Sequence, residues 1–220
     1  FDDSYENLSS EYKKLRDEDG WDEYKTYLET IWTRVEPFVE ARFKQHFQSD
    51  GDKLHSLCWE MTFANLLLDN GFNLINPGSD DAPDLCFVCP KRQKRVWVEC
   101  YLATRGDPKN KNSVIDPYDI YLAQGSVAST YEVQKDKSYL RILTGVMSKQ
   151  KQHNRWLEVG VCKEGEPFVL AISGKDLDIR IYRDLVPDAT KAFYPFGDMM
   201  VAFDRNDPSK DRVYSEYQAS

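Results

Sequence analysis

Three acidic residues sit where solvent exposure does not explain them. Glu60 falls in the run Asp52 to Asn70, and Leu57, Phe63, Ala64 and Leu67, which share its helical face, make that face apolar. A lone carboxylate facing a core is costly unless it is paired, hydrogen-bonded or bound to a metal. The plain alternative is a boundary Glu that reaches solvent or a basic partner. Asp84 follows Pro83 at the head of the apolar run Leu85 to Cys89, and Glu99 lies inside the next, Val96 to Leu102. Alternation in that second run puts Trp97, Glu99 and Tyr101 on one side and Val96, Val98 and Cys100 on the other. If the two runs pair as a hairpin, Asp84 and Glu99 meet at one end of a sheet. Carboxylates converging from a helix and two strands suit a hard divalent cation, Mg²⁺ or Mn²⁺, which takes oxygen ligands and keeps several waters.

The cations are placed to serve such a site. Ser138 to Trp156 reads as a helix on which Ile142, Val146, Lys149 and His153 share a face, while Lys151 lies with Thr144, Ser148 and Arg155. Lys149 is therefore expected to point toward the sheet, and Lys151 toward solvent or a backbone phosphate; Gln150 and Gln152 could assist in positioning. Lys135 to Arg155 holds six basic residues against Asp136 alone, and Lys91, Arg92, Lys94 and Arg95 fall within five positions. Arg105 is a further candidate for holding a phosphate backbone.

Other chemistries find less support. The five cysteines, Cys58, Cys86, Cys89, Cys100 and Cys162, lack the spacing of a secreted disulfide scaffold, which predicts a reducing, cytoplasmic setting. Cys86 and Cys89 form a C-x-x-C, yet a strand sends positions i and i+3 to opposite faces and no second pair completes a tetrahedral zinc site. His46, His55 and His153 are too few for a histidine-rich centre, and neither G-x-S-x-G nor H-E-x-x-H occurs.

The elements that must position these groups follow from periodicity. Ser9 to about Gln48 is helical and charged, with Tyr24, Leu28, Ile31, Val35, Phe38, Val39 and Phe43 at helical steps and a kink expected near Pro37. Asp52 to Asn70 is a further helix, capped by Asp52 and ended by Gly71. Phe72 to Ile75, Leu85 to Cys89 and Val96 to Leu102 read as strands, the last two a hairpin. A polar excursion from Arg105 to Lys135 precedes the basic helix, Pro167 to Ile172 is a strand, and Ile179 to Phe203 adds one or two more. This order predicts an α/β fold with a central mixed sheet flanked by helices. Its expected divisions are an acidic helical extension over residues 1–50, a core over 51–175, and C-terminal strands and tail of the same domain over 176–220.

The 220 residues carry a net charge of -8, which excludes a protein that coats nucleic acid through bulk electrostatics. Residues 1–50 alone hold 13 acidic against 7 basic residues, so -6 of that charge belongs to one segment and the remainder is nearly balanced. Apolar stretches such as Phe63 to Leu68, interrupted by Asn65, fall short of the roughly 20 residues a membrane span needs.

The succession Trp59-Glu60, Ala64-Asn65-Leu66-Leu67, Gly71-Phe72, Ala82-Pro83-Asp84-Leu85 and Trp97-Val98-Glu99-Cys100-Tyr101 resembles the core of the PD-(D/E)XK nuclease superfamily, the restriction-endonuclease-like fold, over residues 52 to 173. The resemblance implies that Glu60, Asp84 and Glu99 bind one or two Mg²⁺ ions and that a Lys positions or activates the attacking water. Where the family has that Lys, two residues after the acid, this sequence has Tyr101. Some members place the functional Lys on the following helix, and Lys149 is the corresponding candidate.

Two functions are therefore expected. One is Mg²⁺- or Mn²⁺-dependent hydrolysis of phosphodiester bonds in nucleic acid, with Lys91, Arg92, Lys94, Arg95, Arg105, Lys151 and Arg155 holding the backbone. The alternative, for which Tyr101 speaks, is an inactive protein of the same fold that binds nucleic acid or a protein partner, the latter or self-association running through residues 1–50.

Overall fold

A computed structural model describes residues 7–79, 81–115, 134–177, 193, 196–202 and 212–217. Helix α1 (Ser10–Asp17) starts where the Tyr12 N–H donates to Ser9 Oγ at 3.1 Å. Helix α2 (Asp22–Val35) turns Leu28, Ile31 and Val35 inward at helical steps. The break expected near Pro37 is realised as a single 3₁₀ turn, Glu36–Phe38, before α3 (Phe43–Ser49). Helix α4 (Gly51–Asp69) is capped by Asp50, which accepts from the Lys53 N–H at 3.3 Å, so its start lies before the Asp52 expected from sequence. Gly71, at φ 77°, leaves the helix in a conformation that glycine adopts without steric cost.

The sheet has the order β1 (Leu74–Ile75), β2 (Leu85–Cys89), β3 (Lys94–Leu102) and β4 (Phe168–Ser173). The first three run antiparallel, and β4 pairs parallel to β3 after the chain has passed through helix α5 (Lys135–Glu158). This is a mixed α/β arrangement, a four-stranded mixed sheet flanked by helices.

Alternation along β2 and β3 divides the core. Leu85, Phe87, Val96, Val98 and Cys100 join one cluster with Leu57, Met61 and Ala64 of α4 and with Leu15, Leu28, Ile31, Val35 and Phe43. Cys86 and Trp97 belong to a second cluster with Trp156 and Cys162. Burying a Val or Leu contributes about 1.5–3 kcal/mol, so the larger cluster, which unites α1 to α4 with the sheet, dominates the stability of this part. The described residues of the 1–50 segment therefore pack into this core. Helical acids such as Asp17, Asp22, Glu23 and Glu29 are exposed on helices whose inner faces complete the core, a division that net charge per segment does not reveal.

The chain forms two units, Phe1–Ala103 with Gly145–Ser173, and Thr104–Thr144 with Gly174–Ser220. In the second unit β5 (Phe196–Ala202) and β6 (Arg212–Tyr217) pair antiparallel in a two-stranded sheet of their own. Arg141 of this unit donates from Nε to the Thr104 carbonyl at 2.9 Å. Much of the excursion before Lys135 and of the segment Ile179 to Phe203 lies outside the described residues. Among those described, no helix is long and apolar enough to cross a membrane.

Candidate active site

Leu85 is paired with Val98, and one step further along the same antiparallel register brings Asp84 opposite Glu99. The expected hairpin therefore joins these two acids at one end of the sheet. Asp84 Oδ2 accepts the Cys100 N–H at 2.6 Å, which ties its carboxylate to β3. Glu99 is 3% exposed and points to the Trp97 side of the strand, where it meets the part of α5 from Gly145 onward.

Lys149 reaches the site from that helix. Its Nζ donates to Glu99 Oε1 at 2.5 Å and to Gln152 Oε1 at 3.3 Å. The other oxygen, Glu99 Oε2, is buried and has no hydrogen-bond partner among the described residues. His153, one turn on from Lys149, stacks on Phe168 of β4 with ring centroids 4.2 Å apart, and burial lowers its pKa. The helical face inferred from sequence thus does face the sheet, while Lys151 and Arg155 are exposed on the other side. Of the two glutamines, Gln152 holds Lys149.

Electrostatics marks the same place. Burial, and then the Glu99 charge, push the Asp84 carboxyl up to about 7 against the opposing pull of the Cys100 N–H and of Lys149. Burial also raises Glu99, with the Lys149 charge and hydrogen bond countering it. Glu60 is 7% exposed, and burial followed by the charges of Asp84, Glu40 and Glu99 holds its carboxyl well above the usual range. These shifts mean that the acids oppose one another in a setting that does not solvate them, a condition common at functional sites.

The three acids do not form one ligand set as expected. Among the described residues no three His, Cys, Asp or Glu side chains are grouped to hold a metal ion. The alternation of β3 explains why: Glu60 comes from α4, on the face that carries Val98 and Cys100, whereas Glu99 points to the opposite face. Asp84 and Glu99 remain as a pair. Mg²⁺ is usually held by one or two carboxylates with several waters, so two oxygen-donor side chains, one with a buried unpartnered oxygen, match its chemistry.

Sequence reading missed Glu40, whose charge acts on both Glu60 and Asp84. Its Oε1 pairs with His46 Nδ1 at 2.9 Å, and it lines a cleft of about 600 Å³ with Glu36, Pro37, Lys44, Asn76 and Gly78. Glu40 follows the helix break at Pro37 in a heavily charged segment, so neither periodicity nor spacing distinguishes it.

The basic residues are dispersed. Lys91, Arg92, Lys94 and Arg95 are exposed at the β2–β3 turn, the opposite end of the hairpin from Asp84 and Glu99; Arg95 and Lys94 are about 13–17 Å from Glu99 along β3 at 3.4 Å per residue. Arg95 packs over Trp97 with 5.9 Å to the ring centroid, and Lys94 Nζ donates to the Gly165 carbonyl at 3.3 Å. The turn therefore does not line the acidic pair. Arg105 belongs to the second unit. None of the five cysteines is in a disulfide; Cys86 and Cys89 face opposite clusters and so do not converge as a ligand pair, and burial raises the Cys100 thiol well above its ordinary value, which disfavours its thiolate.

No known protein family, curated protein or solved structure matches the chain at a significant level.

Proposed function

We propose that this protein is a PD-(D/E)XK-like nuclease of restriction-endonuclease-like fold, hydrolysing phosphodiester bonds of nucleic acid with Mg²⁺ or Mn²⁺. The observation that carries the reading is the Lys149 ammonium on Glu99 beside Asp84: a buried and a half-buried acid at a strand junction, with a cation reaching Glu99 from the next helix.

Asp84 and Glu99 are the residues that would hold the ion. When bound, it lowers the pKa of a coordinated water and neutralises charge on the scissile phosphate. The Cys100 N–H fixes the Asp84 carboxylate. Lys149 supplies the positive charge that Tyr101, two residues after the acid, does not, and stabilises negative charge on the phosphoryl group undergoing attack. Gln152 restrains the Lys149 ammonium. Glu40 acts behind the pair, its charge disfavouring ionisation of Asp84 in the absence of a cation. The exposed Lys151, Arg155 and the β2–β3 turn provide backbone contacts at a distance from the chemistry.

A second reading, an inert protein of the same fold that binds nucleic acid or a partner, draws on Tyr101 and on the lack of a three-carboxylate set among the described residues. Incubating the unaltered chain with Mg²⁺ or Mn²⁺ and labelled single- and double-stranded DNA and RNA separates the two: the nuclease reading requires cleavage, the second requires binding without it. If neither occurs and calorimetry detects no Mn²⁺ binding, both readings fail.

A further inference from the structure

Glycine is a poor helix former, yet Gly145 lies inside α5. The reason is steric: a Cβ at that position would run into the Tyr101 ring. Tyr101 and Glu99 lie on one face of β3, two residues apart, or about 6.8 Å along a strand. Gly145 and Lys149 lie on one face of α5, four residues apart, or about 6.0 Å along a helix. The two spacings match to within an ångström, so the ring against the glycine and the ammonium against the carboxylate form two neighbouring rungs between strand and helix.

We propose that Tyr101 and Gly145 are positioning residues: they set the distance and register of α5 over β3 so that Lys149 is delivered to Glu99. On this account Tyr101 is the spacer that seats a lysine carried by another element, rather than a vestige of a lost one. The inference rests on the nuclease reading for its functional meaning, but the two-rung arrangement is measurable without substrate or metal.

The test is the side-chain ammonium signal of Lys149 in ¹⁵N-labelled protein, assigned with Lys149→Gln. In the unaltered chain the ion pair slows ammonium hydrogen exchange by about tenfold or more relative to the exposed Lys151. Gly145→Ala abolishes that protection; Gly145→Ala combined with the smaller Tyr101→Leu recovers part of it; Tyr101→Phe retains it. Should Gly145→Ala not fold, Tyr101→Leu alone decides, with loss of protection expected in a protein of native circular dichroism. Protection unchanged in folded Gly145→Ala, or in Tyr101→Leu where the former does not fold, overturns the proposal, as does a double variant no better protected than Gly145→Ala. If the unaltered chain cleaves nucleic acid, Gly145→Ala also lowers kcat by about a hundredfold with little change in KM. Lack of cleavage by the unaltered chain sinks the nuclease reading while leaving the ammonium measurement interpretable.

Discussion

Lys149 Nζ lies 2.5 Å from Glu99 Oε1 across 50 residues of sequence, joining the middle of a helix to the middle of a strand. The glutamate side chain is 4% exposed and the lysine 25%, so each is the other's main compensation for leaving water. Removing the cation strands a buried carboxylate, which then either protonates or destabilises the fold. Lys149→Met is expected to lower the unfolding free energy by about 1–3 kcal/mol, a range reduced for the lysine's partial exposure. Lys151→Met, on the solvent side of the same helix, should change it by less than about 0.5 kcal/mol. Urea unfolding of both variants checks this, and equal effects would refute the assigned helical face.

Asp84→Asn is predicted to stabilise the metal-free protein. The carboxyl pushed up to about 7 is held beside Glu99 at a cost, and Asn keeps an oxygen that can accept the Cys100 N–H while removing the charge. The urea midpoint at pH 7.5 should rise with an unchanged m-value. A fall in the midpoint would mean that Asp84 contributes structure rather than strain.

The same shift fixes the sign of a pH dependence. A carboxyl raised from its unfolded value near 3.9 toward 7 binds its proton more tightly in the folded state, so its contribution is fully present below about pH 4 and is lost as the pH rises toward 7. The limiting slope is about 1.4 kcal/mol per pH unit, shared among the acids because they titrate together. The difference in unfolding free energy between the unaltered chain and Asp84→Asn, followed from pH 5 to 7.5, should therefore move in favour of the variant as pH increases. A flat difference would remove the buried-acid account of the site.

The position of the β2–β3 turn predicts a separation of binding from chemistry. Reversing Lys91 and Arg92 to Glu should weaken nucleic-acid affinity and reduce its salt dependence by about one unit for each phosphate no longer neutralised, leaving the cleavage rate at saturation unchanged. Fluorescence anisotropy at several salt concentrations beside single-turnover cleavage reads both. A marked drop in rate at saturation would place the turn closer to the acids than the hairpin allows.

Much of the site is legible in the sequence because its signals are local. The period of two in Val96 to Leu102 assigns Glu99 a face, the Pro83–Asp84 junction places an acid at a strand head, and helical spacing selects Lys149 over Lys151. What stays hidden depends on how faces meet. The same alternation that turns Glu99 to α5 removes it from α4, and so divides Glu60 from the pair; sequence shows three acids in apolar surroundings but not the side from which each arrives. The charge of residues 1–50 does not show that Leu28, Ile31, Val35 and Phe43 carry the packing while acids such as Asp22 and Glu23 stay exposed. Gly145 and Glu40 give no periodic signal, one being defined by a ring it must admit and the other by a turn.

If Asp84 and Glu99 together make a metal-dependent phosphodiesterase, the most direct measurement is the Mn²⁺-dependent cleavage rate of Asp84→Asn, a variant expected to be more stable than the unaltered chain, on whichever nucleic acid the unaltered chain cuts. The predicted result is a loss of at least about a hundredfold in kcat, with cleavage by the unaltered chain abolished by chelation. Asp84→Asn cleaving at the unaltered rate, or an unaltered chain that cleaves no nucleic acid with either metal, would contradict it.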